Sequence, residues 1–165
     1  MILNVLGEEG QSIPLIVDSP HSGVVYPSDF KHQAEFSKLR QAEDSYVDEL
    51  YYYVSEIGGV ILNANFPRSY IDPNRAETDF PIEELIDVEV KEEKILFNPT
   101  IKSELGIGLI WLRIPPNGEP MYANKIKFSE FIHRVKNYHR PYHKTLKEIM
   151  SSTYQHYGKF YHINA

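Results

Sequence analysis

The chain has 165 residues, enough for one domain of ordinary size. With 42% hydrophobic and 24% charged residues it has a globular composition, which excludes disorder along its whole length. No apolar run approaches the roughly 18 residues needed to span a bilayer, and Met1–Gly7 has no basic start or long apolar stretch, so the reading is a cytoplasmic protein with no membrane partner. There is no cysteine, hence no disulfide or thiolate chemistry, and a net charge of −6 does not suit the counterion displacement that nucleic-acid binding requires.

In chain order, Ile13–Asp18 predicts a buried strand, because a β-branched apolar run is bounded by turn residues. It leads into the loop Ser19-Pro20-His21-Ser22-Gly23, at the strand end where open α/β sheets bind ligands. Tyr46, Val47, Leu50, Tyr51, Val54 and Ile57 have the spacing of a helix over Asp44–Ile57, closed by Gly58-Gly59. Val60–Ala64 predicts a second strand, followed by a polar loop that carries Arg68 and Asp72-Pro73-Asn74-Arg75. The acidic stretch Pro81–Lys94 is weakly patterned and reads as a solvated insertion or irregular helix. Ile107–Ile114 predicts a strand ended by the turn Pro115-Pro116-Asn117-Gly118. Ser129 is placed to cap a long helix toward Tyr157, kinked or divided at Pro141 and ended by Gly158. Lys159–Ala165 opens like another strand, and the order β-α-β…β-α-β argues a single α/β layer structure.

His21 lies between a proline that fixes the backbone and a glycine that permits close approach, a setting for a metal or substrate ligand. The alternative is an ordinary surface histidine. Glu43-Asp44 supplies carboxylates, the other ligand type that suits zinc, although Asp44 could equally cap the following helix. Arg68 and Arg75 can fork onto a carboxylate, Asn74 can add hydrogen bonds, and Asp72 can hold an arginine in position. The competing reading of Asp72–Arg75 is a turn with a structural salt bridge. His139 and His143 form a His-x-x-x-His pair, but a metalloprotease helix needs glutamate where Arg140 stands, so that motif is rejected. His143 can still face the site, His139 reads as a surface or core histidine, and the reading of His162 stays open.

Pro20-His21-Ser22-Gly23, Glu43-Asp44 with Val47-Asp48-Glu49-Leu50-Tyr51, and Arg68-Ser69-Tyr70-Ile71-Asp72-Pro73-Asn74-Arg75 together resemble the N-formylglutamate amidohydrolase family. Gly108-Leu109-Ile110-Trp111, Gly118–Tyr122 and Arg140-Pro141-Tyr142-His143 continue the match in the same order, over nearly the whole chain. The resemblance implies a zinc-carboxypeptidase-like (phosphorylase/hydrolase-like) α/β fold, with a mixed, largely parallel sheet, helices on both faces and the metal at the carboxyl ends of the strands. It implies hydrolysis of N-formyl-L-glutamate to formate and glutamate, a late step of histidine degradation. His21 would be a zinc ligand. Asp44 would be the carboxylate ligand, in preference to Glu43. Asn74 and Arg75 would hold a substrate carboxylate, and Arg68 would polarise the scissile carbonyl or bind the second carboxylate. Asp72 is assigned to the substrate site, and His143 with Arg68 to catalysis.

In the family a His-Ser motif follows a strand like Tyr161–Ala165 and supplies the third metal ligand, and an acidic general base lies beyond it. The expectation is therefore one amidohydrolase-like domain over residues 1–165, incomplete at its C-terminus, with weak metal binding and impaired turnover. Its final strand edge should be exposed, which favours homo-oligomers. The alternative function is a non-catalytic domain that keeps the arginine loop and binds a small acidic N-acyl amino acid.

Overall fold

The computed structural model of the chain describes residues 1–41, 43–88 and 95–165. Its first half holds β1 (Leu3–Leu6), β2 (Leu15–Ser19), α1 (Phe36–Gln41), α2 (Val47–Tyr51), α3 (Tyr53–Glu56) and β3 (Val60–Ala64). A turn of 3-10 helix (Ile82–Glu84) leads to β4 (Leu85–Ile86), α4 (Ile101–Glu104), β5 (Arg113–Ile114), β6 (Glu119–Pro120) and β7 (Ile126–Lys127). Then come α5 (Phe128–Arg134), a π-helical turn (Val135–His139), α6 (Arg140–Tyr157) and β8 (Tyr161–Asn164).

The principal sheet has the order β1-β3-β2-β8. β2 runs parallel to both β3 and β8, while β1 lies antiparallel to β3, so the sheet is mixed and the fold α/β. Ile16, Val17 and all five residues of β3 are buried, as expected of central parallel strands covered on both faces. Because β2 and β3 are parallel, the loops after Ser19 and after Ala64 leave the same edge of the sheet. Gly23 is where they meet. A Cβ there would lie 2.2 Å from the Phe66 carbonyl oxygen and 2.4 Å from the Asn65 carbonyl carbon, so the group that approaches this glycine is backbone. Gly23→Ala is expected to cost about 2 kcal/mol through overpacking against main chain that cannot yield. Thermal unfolding checks this, with an expected fall in Tm of roughly 4–8 °C.

Several sequence expectations need correction. The helix over Asp44–Ile57 starts late, at Val47, because Tyr46 lies in the left-handed region at φ 68°, and it is divided at Tyr52 into two short helices, α2 and α3. Asp44 does not cap α2; the Ser22 hydroxyl accepts the Asp48 N–H instead, which ties the His21 loop to that helix. Leu50, one of the apolar positions at helical spacing, is 77% exposed. Ile107–Ile114 is buried over Leu109, Ile110 and Trp111, but only Arg113–Ile114 joins a ladder. The preceding segment bonds instead to Gly106, Asp72 and Asp79, since an apolar run reports burial and not strand pairing.

The long C-terminal helix begins at Phe128, with Ser129 inside it and Lys127 at the cap position. Pro141 does not break it. The preceding π turn bonds the Arg140 N–H to the Val135 carbonyl, and Pro141 then sits in the first turn of α6, where its missing donor is not needed. Gly158 ends α6 at φ 68°, its N–H on the Tyr154 carbonyl. β1 was not foreseen, because Leu-Asn-Val-Leu is too short to stand out. Part of the acidic stretch lies outside the described residues at 89–94; its start forms the 3-10 turn and β4, which pairs with β7. β8 is at the end of the sheet order, with Tyr161 62% and Ile163 40% exposed. No helix among the described residues is long and apolar enough to cross a membrane.

Candidate functional site

The parallel pairing of β2 and β3 brings His21 against the Arg68–Asp72 loop. His21 is buried, and its Nε2 donates to Asp72 Oδ1 at 2.8 Å. Its Nδ1 lies 3.2 Å from Asp44 Oδ2. Arg68 bridges the same two carboxylates, with Nη1 2.6 Å from Asp44 Oδ2 and Nη2 3.0 Å from Asp72 Oδ2. The four side chains form a closed ring of alternating acid and base.

Asp72 is the pivot of this ring. Its side chain has no exposure, its carboxylate also accepts the Asn74 N–H at 2.8 Å, and its own N–H donates to the Leu109 carbonyl at 2.7 Å. Burial on its own would raise this carboxyl, but the hydrogen bond and charge of His21, the charge of Arg68 and the Asn74 amide outweigh it and hold the group below the ordinary range. Trp111 lies under Arg68, with the guanidinium carbon 5.3 Å from the ring centroid. The Gly108–Trp111 segment thus supports both Asp72 and Arg68, a role its sequence did not disclose.

Glu43 does not join His21. Its buried carboxylate accepts from Tyr26 (2.6 Å), Arg40 (2.9 Å) and Ser69 (3.3 Å), and burial pushes it up against those hydrogen bonds. Asp44, half-exposed, is the member of the pair that faces the histidine.

Asp72–Arg75 forms a turn: the Arg75 N–H returns to the Asp72 carbonyl at 3.1 Å, with Pro73 second in the turn. The segment thus forms the turn and the ion pair of the competing sequence reading. Asn74 exchanges amide hydrogen bonds with Asn164 on β8, at 2.7 and 3.1 Å. Arg75 lines an open groove with Asn74, Glu77, His139, Arg140 and His143. His143, expected to act in catalysis, donates from Nε2 to the Pro73 carbonyl at 2.9 Å, on the turn and not on the ring of His21, Asp44, Arg68 and Asp72. A separate, more enclosed cleft lined by Pro81, Glu83, Ser103, Arg113, Tyr122 and Lys125 contains none of the candidate residues.

A second polar cluster went unnoticed in the sequence. Asp18, 1% exposed on β2, accepts from Tyr142, from His162 Nε2 at 2.6 Å and from Asn164 Nδ2 at 2.9 Å. The signal was there in an acid closing an otherwise apolar strand. This cluster joins α6 and β8 to β2, and reaches Asn74 through Asn164.

Could this site hold zinc? His21 Nδ1 and Asp44 Oδ2 face each other across 3.2 Å, while Nε2–H is given to Asp72. Tetrahedral zinc with bonds of about 2.0–2.1 Å keeps its ligands roughly 3.3 Å apart. A carboxylate on the far nitrogen is also the usual support of a zinc-bound histidine. The pair therefore fits two positions of such an ion. Among the described residues no group of three histidine or acidic side chains is placed to hold one.

The chain is similar to known proteins. The model of the N-formylglutamate amidohydrolase family matches residues 13–165. The chain belongs to that family. Among solved structures, the crystal structure of N-formylglutamate amidohydrolase from Ralstonia eutropha JMP134 is similar, with a TM-score of 0.89 and 38% identity over 99% of this chain. The match covers 56% of that protein, so this N-formylglutamate amidohydrolase family member spans a little over half its length. A search of the curated proteins found no match.

Proposed function

We propose that the ring of His21, Asp44, Arg68 and Asp72 is part of the hydrolytic site of an enzyme that cleaves the formyl amide of N-formyl-L-glutamate, or of a related N-acyl amino acid, to formate and the free amino acid. The observation that carries this reading is the His21 imidazole held between two carboxylates that Arg68 also bridges, at the edge where β2 and β3 end. Membership of the family supports the reaction class, and the mixed sheet suits a zinc-carboxypeptidase-like arrangement.

His21, through Nδ1, and Asp44, through Oδ2, are the residues that would hold zinc; bound there, it would supply a water ionised at about pH 7. Asp72 keeps the His21 Nε2 proton in place and so leaves Nδ1 turned to Asp44. Arg68 balances the charge of both acids and is the cation beside Asp44, suited to the substrate's scissile carbonyl or to one substrate carboxylate. Asn74 and Arg75 hold the other carboxylate. Because a formyl group is small, the two carboxylates of the substrate must provide most of the binding energy. With only two protein ligands among the described residues, the chain alone is expected to bind zinc weakly and turn over slowly.

The test is formate release against a panel of N-acyl amino acids, with N-formyl-L-glutamate preferred over neutral analogues. Titration of N-formyl-L-glutamate into Arg75→Ala should show affinity reduced roughly 10- to 100-fold, the scale of a charge-assisted hydrogen bond. Unchanged affinity would remove Arg75 from the carboxylate site.

A further inference from the structure

The function proposed above leaves the His-x-x-x-His pair without a task, yet both imidazoles are engaged. His139, 4% exposed at the end of the π turn, lies with Nε2 2.8 Å from the Arg75 carbonyl oxygen. His143, one helical turn on, lies with Nε2 2.9 Å from the Pro73 carbonyl oxygen, and the two ring centroids are 4.4 Å apart. A carbonyl only accepts, so in both rings Nε2 carries the hydrogen. Residues four apart share one helix face and are displaced about 6 Å along its axis. The spacing rejected as a metal motif thus presents two N–H donors to one turn.

What these donors hold is the turn that carries Asn74. Pro73 and Arg75 are the residues on either side of it, so the helix takes the carbonyls flanking the amide expected to meet substrate. Asp72 restrains the same turn from the other side, through the Asn74 and Arg75 amides. Arg75 Nε is buried with no hydrogen-bond partner among the described residues. Burial, joined by the neighbouring charge of His143, holds His139 below the ordinary histidine value against the opposing Arg75 hydrogen bond and Glu77 charge, which favours the neutral ring with its hydrogen on the Arg75 carbonyl. The π turn matters to this register. Removing its extra residue would rotate His139 by about 100° relative to α5 and carry it off the Arg75 carbonyl.

We propose that His139 and His143 are positioning residues, which set the Pro73–Arg75 turn and through it the aim of the carboxylate-binding pair. The inference rests on the reading of Asn74 and Arg75 as that pair. His143 is solvent-exposed, so its substitution is the practical test in the full chain. Hydrogen exchange of the Asp72–Ala76 amides and titration with N-formyl-L-glutamate would be measured for the unsubstituted protein, H143L, H143Q and R75A, and for H143L in the R75A background, with circular dichroism to verify folding.

The expected result for H143L is faster exchange of the turn and affinity lowered about three- to tenfold, the value of one neutral hydrogen bond. H143Q, which retains an N–H donor, should recover most of both. In the R75A background H143L should bring a smaller further loss of affinity, since only Asn74 is left to be aimed. Unchanged exchange and affinity in H143L, or an equal loss with and without Arg75, would overturn the proposal. If the unsubstituted protein does not bind N-formyl-L-glutamate, the substrate reading fails, and the exchange data alone decide whether the imidazole holds the turn.

Discussion

Asp72→Asn should destabilise the protein by about 3 kcal/mol, because removing one member of a buried ion pair leaves its partners uncompensated. Asp72 has no exposed side-chain surface and serves His21, Arg68 and the Asn74 amide together. Asparagine keeps the volume and one acceptor oxygen, but can neutralise neither the arginine nor a protonated imidazole. The loss should remain below the upper range for buried pairs, since Arg68 retains Asp44. A chemical-denaturation midpoint that falls without a change in slope would verify it. The functional effect is separate: His21 loses the carboxylate that orients it, and loss of such a support typically lowers metal affinity 10- to 100-fold. Wild-type stability in Asp72→Asn would mean that the ring of charges is not a structural unit.

Arg134→Ala is expected to be as damaging, although Arg134 lies outside the candidate site. This arginine on α5 is 2% exposed and lies among aromatic rings, its guanidinium carbon 4.3 Å from the centroid of Tyr70, 5.4 Å from Tyr122 and 5.7 Å from Phe30. Its Nη1 donates to the Tyr70 carbonyl and the Tyr122 hydroxyl. Alanine would open a cavity and leave both acceptors without their donor, at a cost of about 3–4 kcal/mol. Tm should fall by roughly 6–16 °C for a chain of this size. Arg134→Met retains most of the volume and should recover only part of the loss; full recovery would show that the guanidinium contributes bulk alone. Since Tyr70 is two residues before Asp72, this contact also ties α5 to the loop that carries the site.

The sequence disclosed the parts of the fold whose cause is local. Val60–Ala64 matches β3 end to end, because Gly58-Gly59 and Asn65 bound a β-branched run. The helix expected over Asp44–Ile57 starts only at Val47, after a left-handed Tyr46, and its Asp48 N–H is taken by Ser22 of the His21 loop, a contact that periodicity does not encode. In the same way His21, Asp44 and Arg68 were recognisable as reactive residue types in loops, and the parallel strands bring those loops together. The pairing of His21 with Asp72 was not legible, because it joins residues 51 positions apart through tertiary structure. Asp72 was expected to steady an arginine, and it does, but it also orients the histidine. The choice between Glu43 and Asp44 rested on family resemblance alone, and it is the burial of Glu43 among Tyr26, Arg40 and Ser69 that now separates them.

The central claim is that the chemistry of this chain is organised on His21, with Asp44 beside it and Asp72 behind it. Zinc titration followed by the ring-nitrogen NMR shifts of the histidines tests it most directly. The account predicts weak binding in which His21 Nδ1 responds first, its Nε2–H is retained, and His139 and His143 stay unchanged. A response centred on His139 and His143 with His21 silent would contradict it.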